Sequence, residues 1–172
     1  MDATPPPEPP DDPVTGHGFE EFVVATADRM MRTAVLLTGE RHAAEDLVQA
    51  TYAQVFSKWR RVRRADHPAA YTRTVLTRLF LAQQRRRRVD EVSWEGSADL
   101  AGSAQDPTLR LSLLEALATL PPADRTVLVL RYFHDVPVAE VARQLCLSEG
   151  ACRTRASRAL ARLRLHFPDL AE

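Results

Sequence analysis

The sequence predicts an all-α protein made of two small helical domains joined by a flexible acidic linker. Apolar residues recur at helical spacing in several segments, and no segment shows the period-two alternation of a half-buried strand. Glycine is scarce, with six in 172 residues. Residues 89–107 have no sustained period and many small polar side chains, which is typical of a linker. The predicted domains are therefore residues 19–88, the N-terminal block, and residues 108–172, the C-terminal block.

Charge is segregated along the chain although the formal net charge is +0. Residues 1–18 hold four acids, no base and six of the 12 prolines, which predicts a disordered tail. The N-terminal block carries 14 bases against seven acids, and the C-terminal block carries nine against seven. The linker carries five acids and no base. Two basic blocks around an acidic strip indicate local fields that attract a polyanion.

Several classes of protein are disfavoured by composition. No stretch reaches the roughly 18 apolar residues of a membrane span, and the acidic, proline-rich start is unlike a signal peptide. We therefore expect a cytoplasmic protein without membrane contact. Cys146 and Cys152 are too few for a disulfide framework and lack metal-site spacing, even with His166 added. No metal and no cofactor is expected.

The N-terminal block predicts three amphipathic helices. The first begins at Phe19 and ends at Gly39, a residue type common just past a helix C-terminus. The second runs from about residue 43 to residue 59. The third opens with Pro68 in its first turn and ends in the arginine run 85–88.

The C-terminal block predicts a helix-turn-helix. A short helix after Pro137 meets a turn at Leu147 and Ser148, and Ser148 is a good N-cap for a last helix that ends near Phe167. That last helix carries five arginines against one acid, Glu149. Such a face suits the major groove, where arginine binds guanine edges and phosphates. A solvated arginine face on a structural helix is the alternative.

The segment LATLPPADRTVLVLRYFHDVPVAEVARQLCLSEGACRTRASRALARLR resembles region 4 of extracytoplasmic-function sigma factors, in particular the actinobacterial SigE-like group. The resemblance implies that this block binds the −35 promoter element and the flap of the second-largest subunit of RNA polymerase. The residues that it implies for duplex contact are Arg153, Thr154, Arg155, Ser157 and Arg158.

The segment AEDLVQATYAQVFSKW resembles region 2 of the same family. In the family this helix binds the clamp helices of the largest subunit of the polymerase core, and Asp46 and Gln49 occupy the matching polar positions. Ala50 stands where the family usually has glutamate, so one polymerase contact is missing.

Two further segments, RRVRRADHP and HPAAYTRTVLTRLFLAQQRRRR, resemble the specificity loop and the helix that grip the melted −10 element. Dense cations beside an aromatic ring suit the backbone and unstacked bases of a single strand. Arg78 stands where the family often has asparagine, so the family's −10 base preference is not carried over. The implied strand contacts are Arg60, Arg61, Arg63, Arg64, Tyr71, Arg73 and Arg78.

Together, these resemblances imply a sigma factor that binds core polymerase, recognises promoter DNA, initiates transcription and catalyses nothing. The alternative is a helix-turn-helix regulator outside the polymerase, which would usually dimerise and would leave AEDLVQATY unexplained. An enzyme is disfavoured because the five histidines are scattered. A helical adaptor would not need segregated arginines. Whether an anti-sigma protein restrains the chain is left open.

Overall fold

The computed structural model describes residues 14–90 and 107–167, with side chains described for residues 18–87, 112–165 and 167. Every regular element in these ranges is a helix, which confirms the predicted fold class. The N-terminal block contains α1 (Val14–Thr38), α2 (Arg41–Phe56), α3 (Trp59–Val62) and α4 (Pro68–Asp90). The C-terminal block contains α5 (Pro107–Ala118), α6 (Pro122–Leu128), a π-helical turn (Val129–Phe133), α7 (Val138–Leu145) and α8 (Glu149–His166).

Three helix limits correct the sequence prediction. Helix α1 starts inside residues 1–18, the predicted disordered tail, of which residues 1–13 lie outside the described chain. Helix α4 extends to Asp90, inside the predicted linker 89–107, and residues 91–106 of that linker lie outside the description. A nucleated helix gains one hydrogen bond for each residue added, so it can extend beyond its apolar stripe. The second helix ends at Phe56, before the predicted 59, because the chain turns into α3.

The N-terminal block is held by the apolar stripes of α1, α2 and α4. Gly39 ends α1 as predicted: its φ is 76°, in the left-handed region, and its N–H donates to the Val35 carbonyl at 2.8 Å. This turn brings α2 back along α1, so that their stripes face each other. The buried residues of this first cluster are Met30, Ala34, Leu37, Ala44, Leu47, Val48, Tyr52, Leu76, Phe80 and Val129.

Aromatic rings fix the short helix α3 against α1. The Trp59 ring lies 5.2 Å from the Phe19 ring and 5.0 Å from the Phe22 ring, measured between centroids. Trp59 and Val62 are buried, so the α3 residues between and after them turn outward. The aromatic cluster therefore sets the position of the arginines in this segment.

The helix-turn-helix of the C-terminal block is confirmed. Cys146 adopts a left-handed conformation, with φ of 55°, after α7. Ser148 caps α8, its hydroxyl accepting a hydrogen bond from the Ala151 N–H at 3.1 Å. Small buried residues of α8 allow close packing on α6 and α7. The buried residues of this second cluster are Leu117, Leu120, Val127, Leu128, Leu130, Val136, Val141, Ala142, Cys152, Ala156 and Ala159.

The two blocks pack against each other, which the sequence did not predict. Val129, in the π-helical turn of the C-terminal block, belongs to the first cluster beside Met30 and Leu37. Leu36 of α1 packs against both clusters. In this structure the two predicted domains therefore share apolar contacts as well as a linker.

Candidate nucleic-acid interfaces

The N-terminal half of α8 presents a polar, exposed surface. Arg153, Thr154, Ser157 and Arg158 are all exposed. Arg153 is paired with Glu149 at 2.7 Å, but both side chains are largely in solvent, where an ion pair is weak and readily exchanged. These four residues are therefore free to meet a ligand without rearranging the core.

Arg155 differs from the other arginines that the sequence places in this set. Its Nη1 lies 2.7 Å from Asp124 Oδ1 on α6, and the Asp124 side chain is only 9% exposed. The Arg155 side chain is 38% exposed, so it lies at the edge of the face of α8 that packs on α6, not on the opposite face. This ion pair ties α8 to α6 and so fixes the orientation of the helix. The Asp124 carboxylate gave no sequence signal, because its partner is 31 residues away.

A groove beside this surface was also missed by the sequence analysis. It has a volume of about 250 Å³ and runs between the π-helical turn and α8. Tyr132 is exposed at its edge, with the Arg131 guanidinium 6.0 Å from the ring centroid. Arg153 and Ser157 line the same groove, so it adjoins the predicted duplex contacts.

In the N-terminal block, the arginines on and after α3 form a second exposed surface. Tyr71 is half-buried and packs against the cluster of Val55, Trp59, Val62 and Val75, which places it next to α3. The structure thus packs Tyr71 of α4 beside the arginine-rich segment of α3. The exposed residues among the predicted strand contacts are Arg60, Arg61, Arg63, Arg64 and Arg78.

Arg73 does not lie on this exposed surface. Its side chain is 14% exposed, and its Nη2 lies 3.8 Å from Glu140 Oε1 on α7 of the other block. Burial lowers the pKa of Arg73, whereas the Glu140 carboxylate raises it. A strand contact by Arg73 would require Glu140 to move away.

His134 forms a second polar contact between the blocks. Its Nδ1 accepts from Arg29 Nε at 3.3 Å, and its Nε2 lies 2.8 Å from Thr33 Oγ1. The Thr33 hydroxyl donates to the Arg29 carbonyl at 2.6 Å, so His134 Nε2 must be the donor and Nδ1 is unprotonated. Burial and the nearby cations Arg73 and Arg29 lower the pKa of His134 to about 4.

Arg125 forms a third contact between the blocks. One guanidinium nitrogen donates to the Leu37 carbonyl at the end of α1. The other donates to the carbonyls of Ala118 and Leu120 at the end of α5, at 2.9 and 3.1 Å. The cation therefore binds the negative ends of two helices at once. Burial lowers its pKa.

Helix α2 carries a polar face of its own. Asp46 and Gln49 are exposed and lie three residues apart, so they share one side of the helix. The neighbouring residues Leu47 and Val48 are buried in the first cluster. The face can therefore bind a partner without disturbing the core.

Within residues 14–90 and 107–167, no group of three or more His, Cys, Asp or Glu side chains could hold a metal ion. In the same part of the chain, no helix combines the length and apolar character needed to cross a membrane.

The two blocks match two known sequence families. Residues 22–89 match Sigma-70 region 2, and residues 110–163 match Sigma-70, region 4. The chain is 32% identical to an RNA polymerase sigma-E factor of Streptomyces antibioticus, over 85% of this chain and 82% of that protein. A sigma-E factor of Streptomyces coelicolor is 30% identical over 85% of this chain and 84% of that protein. This chain is an RNA polymerase sigma factor of the extracytoplasmic-function group.

Solved structures share the fold. The sigma factor RpoE of Bartonella quintana, solved with the anti-sigma factor NepR, superposes with a TM-score of 0.73 at 21% identity, over 88% of this chain and 97% of that one. The extracytoplasmic-function sigma factor SigJ of Mycobacterium tuberculosis gives a TM-score of 0.59 at 28% identity, over 84% of this chain and 52% of that one. The sigma factor family is thus shown by sequence, and its helical fold by structure.

Proposed function

We propose that this sigma factor divides promoter recognition between its two exposed arginine surfaces. The C-terminal block binds the −35 element as duplex, and the N-terminal block binds the melted −10 strand. The observation that carries the proposal is that these surfaces lie on separate blocks: the strand surface beside the cluster of Val55, Trp59, Val62 and Val75, and the duplex surface on α8, which packs into the second cluster. The protein acts in the cytoplasm, where it serves as a subunit of RNA polymerase and catalyses no reaction itself.

Duplex recognition is assigned to four residues of α8: Arg153, Thr154, Ser157 and Arg158. They are exposed in the first turns of the second helix of a helix-turn-helix, the part that reaches base edges in the major groove. Arg155 has a different role. Through Asp124 it holds α8 at the angle that the other four residues need.

Strand recognition is assigned to the arginines around Tyr71. Exposed guanidinium groups bind phosphates, and an aromatic ring that is only partly buried can stack with an unpaired base. Arg60, Arg61, Arg63 and Arg64, on and just after α3, supply exposed positive charge, and Arg78 adds an exposed cation on α4.

Binding of core polymerase is assigned to the exposed face of α2 that carries Asp46 and Gln49. The partner of this face is the pair of clamp helices in the largest subunit. The flap of the second-largest subunit is the partner of the C-terminal block. An anti-sigma protein is a further candidate partner, since the RpoE relative was solved with one.

Transcription with purified core polymerase tests this division of labour. Arg158→Ala should weaken binding to −35 duplex by about 1–3 kcal/mol and leave transcription from a pre-melted template nearly intact. Arg78→Ala should slow promoter opening and leave duplex binding by the full chain unchanged. Arg162→Ala, further along α8, and Arg32→Ala on α1 are matched controls, since both residues are exposed arginines outside the assigned surfaces.

Equal profiles for Arg158→Ala and Arg78→Ala in the two assays would contradict the assignment. A chain that binds duplex but never associates with core polymerase, and that dimerises, would instead support a regulator outside the polymerase.

A further inference from the structure

We propose that residues 1–13, the acidic segment, bind the exposed arginines on and just after α3 together with the neighbouring Phe56 ring, and that they compete there with single-stranded DNA. The arginines of this surface, the arginine patch, are Arg60, Arg61, Arg63 and Arg64. The inference rests on the proposed function, because the arginine patch belongs to the predicted strand contacts.

The start of α1 lies beside the arginine patch. The ring of Phe19, in the second turn of α1, is 5.2 Å from the ring of Trp59, the first residue of α3. Phe19 packs against the same cluster as Tyr71. Val14 precedes Phe19 by about 8 Å along the helix axis, at about 1.5 Å per residue. The acidic segment has an extended length of up to about 45 Å, so it can reach the whole patch.

The arginine patch carries positive charge that the described residues do not neutralise. From Lys58 to His67 the chain holds five cations and one acid, Asp66. Within the described residues, none of the four exposed arginines has an ion-pair partner. Neighbouring like charges repel, so an anionic partner stabilises this surface. The acidic segment has no base, and its four acids are Asp2, Glu8, Asp11 and Asp12.

An exposed aromatic ring adjoins the arginine patch. Phe56, the last residue of α2, is 55% exposed. Its ring lies 4.9 Å from the Phe19 ring and therefore near the start of α1. Six of the 13 residues in the acidic segment are prolines, and proline-rich segments bind aromatic surfaces with little loss of conformational entropy. The surface thus offers cations and an aromatic ring, and the acidic segment carries the acids and prolines that complement them.

The acidic segment and a DNA strand need the same cations. Because the segment belongs to the chain, its effective concentration at the patch is in the millimolar range, and a weak interaction is enough to occupy the patch part of the time. Salt screens the attraction between exposed charges. The segment should therefore weaken strand binding most at low ionic strength.

Removal of the acids tests this competition. Glu8→Gln with Asp11→Asn and Asp12→Asn, the neutral-segment variant, should bind a mixed-sequence single-stranded DNA about threefold more tightly than the wild-type chain at about 50 mM salt. This is the effect expected from three carboxylates about 10 Å from the strand phosphates. At about 0.5 M salt the two chains should bind alike. Equal affinities at low salt would overturn the proposal.

A control variant separates the position of the acids from net charge. It changes three exposed acids for which the structure describes no ion pair: Asp28→Asn, Glu115→Gln and Asp135→Asn. This chain should bind the strand like the wild type, and a threefold gain here would overturn the proposal. A neutral-segment variant with a lower melting temperature and unchanged strand affinity would also overturn it, because its acids would then stabilise the N-terminal end of α1 instead.

Removal of arginines tests whether the acids bind the patch or only lie near it. Arg61→Gln with Arg64→Gln removes half of the patch and should weaken strand binding. In that chain, neutralising the acidic segment should raise the affinity by less than about twofold, since the acids have lost half of their partners. An undiminished threefold gain would contradict binding of the acids to the arginines.

Nuclear magnetic resonance without DNA separates this inference from the proposed function. A spin label on Thr4→Cys, in a chain with the exposed Cys146 changed to Ser, leaves Cys152 unlabelled because that thiol is buried. The label should broaden the amide signals of Phe56 and Arg61 more in the wild-type background than in the neutral-segment variant. Equal broadening would overturn the contact. Broadening in a chain that binds no strand would support the contact and contradict the proposed strand recognition.

Discussion

His134 makes the packing of the two blocks sensitive to pH. Its unprotonated Nδ1 accepts from Arg29, and Arg73 adds a second nearby positive charge whose counter-ion is Glu140. Protonation would remove the acceptor and add a third cation. The pKa of His134 is accordingly lowered from 6.5 to about 4. A lowered pKa means that the unfolded chain binds the proton more tightly, so stability falls as the pH drops from 6.5 towards 4 and levels off below that.

The size of the loss follows from these two pKa values. Between about pH 7.5 and pH 5 the His134 contribution should fall by about 2 kcal/mol, or roughly 30-fold in the unfolding equilibrium. The side chain is only 8% exposed, so solvent screening reduces this figure little. Below about pH 4 the whole difference between the two pKa values takes effect, and the free energy of unfolding would then be lower by about 3 kcal/mol.

Urea denaturation at the two pH values, followed by tryptophan fluorescence, measures this effect. Carboxylates also titrate in this range, so the comparison is with His134→Gln, which keeps a donor and an acceptor but does not titrate. The wild-type chain should lose about 2 kcal/mol more than the variant on acidification. The same pH dependence in both chains would refute the assigned role of His134.

Three other predictions concern separate surfaces. Asp46→Ala with Gln49→Ala should weaken core binding in a titration without changing the melting temperature, and an unchanged affinity would remove this face as the polymerase contact. Asp124→Asn should lower duplex affinity in a gel shift while leaving base preference unchanged; relaxed preference would mean that Arg155 reads bases. Neutralising the five acids of residues 89–107 should impair run-off transcription, whereas a shuffled linker of equal composition should not.

Local signals in the sequence predicted local structure well. Gly39 and Ser148 mark helix ends because their conformational and capping preferences act within a few residues. The buried stripes followed from helical period in the same way.

Contacts between distant polar residues gave no such signal. Thr33 and His134 are 101 residues apart, and neither residue type marks a buried hydrogen bond. Arg73 resembled the other basic residues of its block until the structure placed Glu140 against it. Arg155 was expected among the duplex contacts, because the sequence does not show that the Asp124 carboxylate lies against it on a neighbouring helix.

The π-helical turn has a consequence for how the chain melts. Its i→i+5 spacing, seen where the His134 N–H donates to the Val129 carbonyl at 3.2 Å, inserts one residue into the helical register. Val129 lies in the first cluster, whereas its neighbours Leu128 and Leu130 lie in the second. Two hydrophobic cores are thus linked through adjacent peptide units. While Val129 remains inserted, unfolding of either core disturbs the other, and calorimetry should show one cooperative transition instead of two.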